Sequence, residues 1–115
     1  MDIEELQKLC LSLPSVTEDI KWDHDLVFSI GGKMFCVVSL EPPFSCSFKV
    51  KEDEYEELIL KEGFIPAPYM ARAKWVQVQD GSKMNKKEWE NAIRKSYDLV
   101  SVKLTKKLKA ELGIL

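Results

Sequence analysis

Apolar residues recur at helical spacing in four stretches of the chain, and each stretch begins at a residue that can cap a helix. The first stretch ends at Pro14 and the second stops at Gly63, and both residue types are typical of a helix end. The third stretch is the longest and has apolar residues from Trp89 to Leu104 along one face. Four helices are therefore predicted. Their expected N-caps are Asp2, Asp53, Asn85 and Thr105.

Two β-rich runs, Leu26–Ile30 and Lys33–Leu40, are separated by Gly31-Gly32. Two glycines allow the positive φ angles of a tight hairpin turn, so these runs predict a hairpin. Both faces of the hairpin are largely apolar, which predicts a central position in a sheet. A two-residue loop is expected to pair Ile30 with Lys33, Phe28 with Phe35 and Leu26 with Val37.

Strict alternation of apolar and polar residues follows in Phe44–Val50 and again in Lys74–Gln79, and each predicts a half-buried strand. In the second of these, Val76 and Val78 are expected to face the core. The segment Ser15–Asp25 is polar and is predicted to be a connection. The element order is then α-β-β-β-α-β-α-α, and the 115 residues predict a single α+β domain over residues 1–115.

Composition is that of an ordinary globular protein, with 45% apolar and 31% charged residues. The net charge of −2 argues against a strongly basic nucleic-acid-binding protein. The charge is nevertheless divided. Residues 1–70 hold 6 basic and 14 acidic side chains, whereas residues 71–115 hold 11 basic and 5 acidic ones. If the basic part gathers on one face, that face could meet a polyanion or an acidic partner.

Neither a membrane span nor a signal peptide is indicated, because no apolar run is long enough and the N-terminal sequence is acidic. We expect a cytoplasmic, monomeric protein that does not bind a membrane. The three cysteines show no C-x-x-C spacing, which favours reduced, buried thiols. The single histidine, His24, lies between Asp23 and Asp25, and consecutive residues point metal ligands apart. A solvated turn is favoured there, and no metal or cofactor is expected.

The segment Gly63–Gln79 has the composition of a binding site, because two prolines, the aromatic pair Tyr69 and Trp75, and the cations Arg72 and Lys74 occur together. In its predicted strand, Trp75 shares one side with Gln77 and Gln79, an arrangement that suits a shallow binding surface. Alternatively, Trp75 is covered by the preceding loop, since large aromatic side chains are usually well buried.

Four stretches together resemble the MmcQ/YjbR family: LSLPSVTED, VFSIGGKMF, IPAPYMARAKWVQV and SYDLVSVKLTKKLKAEL. The resemblance covers nearly the whole chain. It implies a CyaY-like (frataxin-like) domain in which helices pack on one face of a small antiparallel sheet, often described as double-wing DNA-binding-like. Two segments depart from the family pattern: Trp22–Asp25, where many relatives have a Phe-Gly-Pro-like turn, and Ala71–Ala73, which replaces the more usual Asn-Lys.

Two functions compete at this stage, and both are binding functions. In the first, the protein binds DNA or RNA, or regulates, through the Pro66–Gln79 loop and strand and the basic C-terminal helices. In the second, the groove between that loop and strand takes a protein or a small ligand. An enzyme is not expected, because no nucleophile and base form a recognisable set. The candidate binding residues are Tyr69, Arg72, Lys74, Trp75, Gln77, Arg94, Lys103, Lys106 and Lys107.

Overall fold

The computed structural model describes residues 1–114. Its helices are α1 (Ile3–Leu11), α2 (Glu52–Leu58), α3 (Lys86–Ser101) and α4 (Lys106–Glu111). Its strands are β1 (Val16–Lys21), β2 (Asp25–Ile30), β3 (Lys33–Ser39), β4 (Cys46–Lys49), β5 (Phe64–Pro66) and β6 (Trp75–Val78). The strands form one antiparallel sheet in the order β1-β2-β3-β4-β6-β5. The α+β fold is confirmed, and the predicted elements occur in the predicted order.

Two strands were missed by the sequence analysis, and both lie at an edge of the sheet. The prediction that Ser15–Asp25 is a polar connection is wrong, because Val16–Lys21 pairs with β2 along its full length. Five of the six residues of β1 are exposed, so the strand lacks the alternation of apolar and polar residues from which a strand is predicted. The other missed strand, β5, contains Pro66, which an edge strand tolerates because one side of it needs no ladder hydrogen bonds.

The β2–β3 hairpin forms around Gly31-Gly32 as predicted, but its register changes after the first two pairs. Ile30 pairs with Lys33, whereas Phe28 pairs with Cys36 rather than with Phe35. The predicted pairs Phe28–Phe35 and Leu26–Val37 are wrong, because a β-bulge inserts Phe35 as an extra residue in β3. Beyond the bulge every side chain of β3 changes face. Phe35, Cys36 and Val38 therefore all join one core, and Val37 points the other way.

Helices cover only one face of the sheet, which we call the helical face. α3 lies across β3 and β4, and its Trp89 is fully buried against Phe44 and Phe48. Within residues 1–114, the opposite face, which we call the open face, carries no α-helix, and it holds a second, smaller apolar cluster. That cluster comprises Val27, Val37, Ala67 and Trp75, with Met34 and Met70 at its margin.

Buried side-chain hydrogen bonds anchor α3 at two points, one at the short turn after β6 and one at the sheet. The indole Nε1 of Trp89 donates to the carbonyl of Gly81 at 2.9 Å. The hydroxyl of Ser96 donates to the carbonyl of Phe35, the bulged residue, at 2.7 Å and accepts from the backbone N–H of Lys49 at 3.0 Å. Ser96 thus binds two adjacent strands to one helix.

Three of the four predicted helix caps are confirmed. Asp2, Asn85 and Thr105 each accept a hydrogen bond from the backbone N–H three residues later, and Asn85 forms a full capping box with Glu88. The prediction for Asp53 is wrong. α2 begins at Glu52 with Lys51 as its N-cap, two residues earlier than predicted, so Asp53 lies within its first turn, where an acidic side chain suits the helix dipole. Within residues 1–114, none of the helices combines the length and the apolar character that crossing a membrane requires.

Candidate functional site

Trp75 does not offer its ring to a ligand. Only 5% of its surface is accessible, and it packs on the open face against Val27, Val37 and Ala67. The loop that precedes it covers it, and this covering was the alternative raised from the sequence. The alternation of β6 is as predicted, since Val76 and Val78 are buried in the helical-face core. Stacking of a base on Trp75 is therefore excluded in this conformation.

Tyr69 and Gln77 lie together on the open face and remain candidates. Tyr69 is fully exposed at the tip of the loop that covers Trp75, and its φ of 66° places it in the left-handed region. Gln77 is half-buried on β6, where its amide lies 3.5 Å from the hydroxyl of Ser47 on the neighbouring strand. At that distance the hydrogen bond is weak, so both groups retain capacity for a ligand.

The cations of the loop lie beyond Tyr69. Arg72 is exposed within the short 3-10 turn Ala71–Ala73. Lys74 ends that turn in a left-handed conformation, and its ammonium lies 4.9 Å from the ring centroid of Tyr55. Lys74 thus already makes a cation–π contact within the protein.

The remaining basic candidates lie on α3, on α4 and in the connection between these two helices. Arg94 lies on the exposed side of α3 and pairs with Asp98 at 3.4 Å. Lys106 and Lys107 are exposed on α4. Lys103 lies near Lys49 of β4. The pKa of Lys49 is lowered by partial burial and by the charge of Lys103, and its ammonium donates to the carbonyl of Ala73.

The sheet's open face carries a cleft of about 580 Å³ that the sequence analysis did not identify as a whole. One wall is the β1–β2 turn, the other wall is the loop that bears Tyr69, and the floor is formed by β3, β4 and β6. The residues that line it are Trp22, His24, Asp25, Met34, Val37, Ser39, Ser45, Ser47, Pro68, Tyr69, Met70 and Gln77.

Exposed aromatic side chains stand on both walls of the cleft. Trp22 is 59% exposed and Tyr69 is fully exposed. Both have a backbone that is unfavourable for an aromatic residue, because the φ of Trp22 is 54° and that of Tyr69 is 66°. Asp23, next to Trp22, is also left-handed. The two turns therefore hold these rings in place at the expense of local backbone strain.

Polar groups of the cleft come mainly from the strand ends. Ser39, Ser45 and Ser47 supply hydroxyl groups, and Asp25 supplies a carboxylate whose side chain is 23% exposed. His24 Nε2 lies 4.0 Å from Asp25 Oδ1. Neither lysine nor arginine contributes to the lining.

The sequence contained one signal for this cleft, namely the departure of Trp22–Asp25 from the family pattern. That departure was noted, but the segment was interpreted as a solvated turn. Its position opposite the Tyr69 loop depends on the strand order β1-β2-β3-β4-β6, which periodicity does not reveal.

The three cysteines form a buried cluster on the helical face, away from the cleft. The thiols of Cys36 and Cys46 are 3.6 Å apart, and Cys10 is also fully buried. The pKa of Cys10 is raised far above its ordinary value by its hydrogen bond with Cys36 and by burial. The pKa of Cys36 is also raised, although its hydrogen bond with Cys10 acts to lower it, because its contact with Cys46 and its burial outweigh that effect. Such thiols are chemically inert. Within residues 1–114 no three His, Cys, Asp or Glu side chains gather as metal ligands.

Comparison with protein families shows a match between residues 11–99 and the model described as YjbR. A crystal structure of a protein from Pseudomonas syringae, a structural-genomics target, is similar to this chain with a TM-score of 0.73 and 18% identity. The similarity covers 86% of this chain and 98% of that one, and at this identity it shows the fold alone. Among curated proteins no significant match is found.

Proposed function

This chain belongs to the YjbR family, and we propose that it is a binding module whose ligand, a small organic molecule, occupies the open-face cleft. The observation that carries the proposal is the pair of exposed aromatic rings, Trp22 and Tyr69, on opposite walls of one cleft with a polar floor. The whole cleft lies within residues 11–99, the part of the chain that the family model matches.

The size and chemistry of the cleft suit a small ligand. Its volume of about 580 Å³ is within the range of pockets that hold drug-sized molecules. Met34, Val37 and Met70 provide an apolar surface, and thioether side chains adapt to the shape of what they contact. A few hydroxyl groups and one amide then fix the orientation of a ligand, as is usual for such sites.

Backbone strain supports the same assignment. A left-handed backbone costs a non-glycine residue about 1–2 kcal/mol, and both aromatic residues of the cleft adopt one. Strained residues concentrate at binding and catalytic sites, where the surrounding structure holds them. Nothing about solvation favours an aromatic ring at either turn, because both rings are largely exposed.

A fragment screen by NMR tests the proposal. In a ¹⁵N-labelled sample, fragments that bind are expected to shift the Trp22 indole resonance and the backbone amides of β3 and β4. The variants Trp22→Asn and Tyr69→Asn remove the rings but keep a residue that tolerates a left-handed backbone. Each is expected to weaken binding by about five- to tenfold, because an aromatic contact contributes about 1 kcal/mol.

Leu60→Asn is the matched control, because Leu60 is 85% exposed and lies outside the cleft. It should leave binding unchanged. The proposal is wrong if fragments shift residues elsewhere on the surface, or if both aromatic variants bind as tightly as the unaltered protein.

Binding to nucleic acid is the second candidate, and one observation favours it. Lys49 and Lys103 are near enough for one charge to lower the pKa of the other, which marks a locally positive region beside the exposed Tyr69 loop. Against it weigh the burial of Trp75 and the pairing of Arg94 with Asp98.

This candidate predicts that a labelled single-stranded oligonucleotide binds at low salt and dissociates steeply as salt rises. Substitution of both Lys49 and Lys103 by glutamine should weaken binding and reduce the salt dependence by about two charges. Lys86→Gln with Lys87→Gln, at the start of α3, is the charge-matched control. Absence of oligonucleotide binding at low salt would show that the protein is not a nucleic-acid-binding protein of this kind.

We further propose that the cleft binds without catalysis, in a cytoplasmic monomer. Among the described residues no hydrogen bond joins His24 to a cleft serine, and Ser39 donates instead to the carbonyl of Glu41. Three free, buried thiols suit a reducing compartment.

A further inference from the structure

We infer that the ligand of the open-face cleft is an organic cation, a molecule with an ammonium head on an apolar body. This inference rests on the proposed function, and it deepens it by assigning the charge of the ligand. The feature that carries it is the combination of one partly buried carboxylate, two exposed aromatic rings and no cation among the residues that line the cleft.

Asp25 supplies the charge complementarity. Among the described residues it is the only acidic one that lines the cleft, and it is partly buried, with 23% of its side chain exposed. Charge pairs are strengthened in such a setting, because the surrounding dielectric is lower than in bulk water. A cation that reaches Asp25 would therefore gain more there than at an exposed acidic residue.

Charged neighbours do not already satisfy this carboxylate. His24 lies 4.0 Å away and is positive only when protonated. Lys21 stands opposite Asp25 in the β1–β2 ladder, but it is exposed, lines no part of the cleft and forms no ion pair with it within 4 Å. Lys49 follows Ser47 by two residues along the floor, and its ammonium is held by the carbonyl of Ala73.

Aromatic rings complete a site for an ammonium group. The faces of Trp and Tyr attract cations through the quadrupole of the ring, and Trp is the strongest of the aromatic side chains. Trp22 and Tyr69 both line the cleft, so the site offers a bound cation two aromatic rings. Serine hydroxyl oxygens on the floor accept hydrogen bonds and would not repel it. A phosphate or a carboxylate would instead meet Asp25 with like charge.

Three probes of the same shape separate charge from fit: choline, its neutral isostere 3,3-dimethylbutan-1-ol, and the anion 3,3-dimethylbutanoate. NMR titration of the intact protein would follow the Trp22 indole and the amides of the cleft floor. Choline is expected to bind about tenfold more tightly than the neutral isostere, because Asp25 and the aromatic rings both favour the cation, and the anion is expected not to bind.

Asp25→Asn should reduce the preference for choline over the neutral probe to about two- to fivefold, which is what cation–π contacts with exposed rings supply. Asp19→Asn is the control, because it removes the same charge from the exposed strand β1, outside the cleft. Equal binding of choline and the neutral isostere, tighter binding of the anion, or no binding of choline would each overturn the inference. The fragment screen tests the proposed function separately. If the cleft binds neutral fragments but not choline, the proposed binding function stands and only the inference of a cationic ligand is refuted.

Discussion

A substitution of Ser96 tests how α3 is attached to the sheet, because the Ser96 hydroxyl is fully buried and makes hydrogen bonds to backbone groups of two strands. Replacement by alanine removes one oxygen atom and leaves two polar groups without this partner, the carbonyl of Phe35 and the N–H of Lys49. An unsatisfied buried polar group costs about 1–3 kcal/mol. Ser96→Ala should therefore lower the free energy of unfolding by about 2–4 kcal/mol.

That loss is large for a chain of this size, whose total stability is expected to be about 6–17 kcal/mol. Urea denaturation followed by fluorescence and by circular dichroism would measure it, and the melting temperature should fall by roughly 10 °C. Ser101→Ala is the matched control. Its hydroxyl lies near the exposed end of the same helix and makes only a 3.4 Å contact with the carbonyl of Asp98, so the change should be near zero.

A loss below about 0.5 kcal/mol for Ser96→Ala, with an unchanged slope of the denaturation curve, would refute this reasoning. It would mean that the two backbone groups find other partners. The bulge would then hold its register without the hydroxyl, and the role assigned to Ser96 in joining α3 to two strands would be wrong.

Two further predictions concern the hairpin turn and the thiols. Gly31→Ala and Gly32→Ala both place a side chain at positive φ, but the new Cβ at position 31 would lie 2.8 Å from Leu104, whereas that at position 32 meets nothing. Gly31→Ala should therefore lower the free energy of unfolding by at least about 1 kcal/mol more than Gly32→Ala, as measured by thermal unfolding. Equal losses of stability would contradict the packing of Leu104 on the turn. The pKa values of Cys10 and Cys36 are raised in the folded protein, so these thiols ionise only after unfolding. The stability that the protonated thiols contribute to the folded state is therefore complete below the ordinary thiol pKa of about 8.5 and is lost progressively as the pH rises above it. Urea titrations from pH 8 to 9.5 should show stability falling by up to about 1.4 kcal/mol per pH unit for each of the two thiols, with a shallower fall in Cys10→Ala; a flat profile would show that the buried thiols ionise in the folded protein.

Helices were the most predictable part of the fold, because their signals are local. The capping box of Asn85 with Glu88 and the apolar face that contains Trp89 both depend on residues within four positions of one another. The hairpin turn at Gly31-Gly32 was equally local. Its register was not, because the bulge at Phe35 is stabilised by Ser96, which is 61 residues away along the chain.

Edge strands were hidden for a related reason. β1 has exposed side chains along almost its whole length, so no hydrophobic pattern distinguishes it from a loop, and it exists only because β2 offers unpaired backbone groups. Once β1 and β2 are paired, the turn between them places Trp22 in the same cleft as Tyr69.

The sequence by itself therefore determined the fold class, the helices and the central hairpin, because these depend on periodicity, caps and turn chemistry within short stretches. Tertiary structure alone decided that Trp75 is buried while Tyr69 is exposed, and that Arg94 pairs with Asp98. It also decided that the open-face cleft is lined both by the loop that bears Tyr69 and by Trp22, His24 and Asp25, which lie more than 40 residues earlier. The physical reason is that strand order and burial arise from contacts between distant residues, which a local pattern does not record.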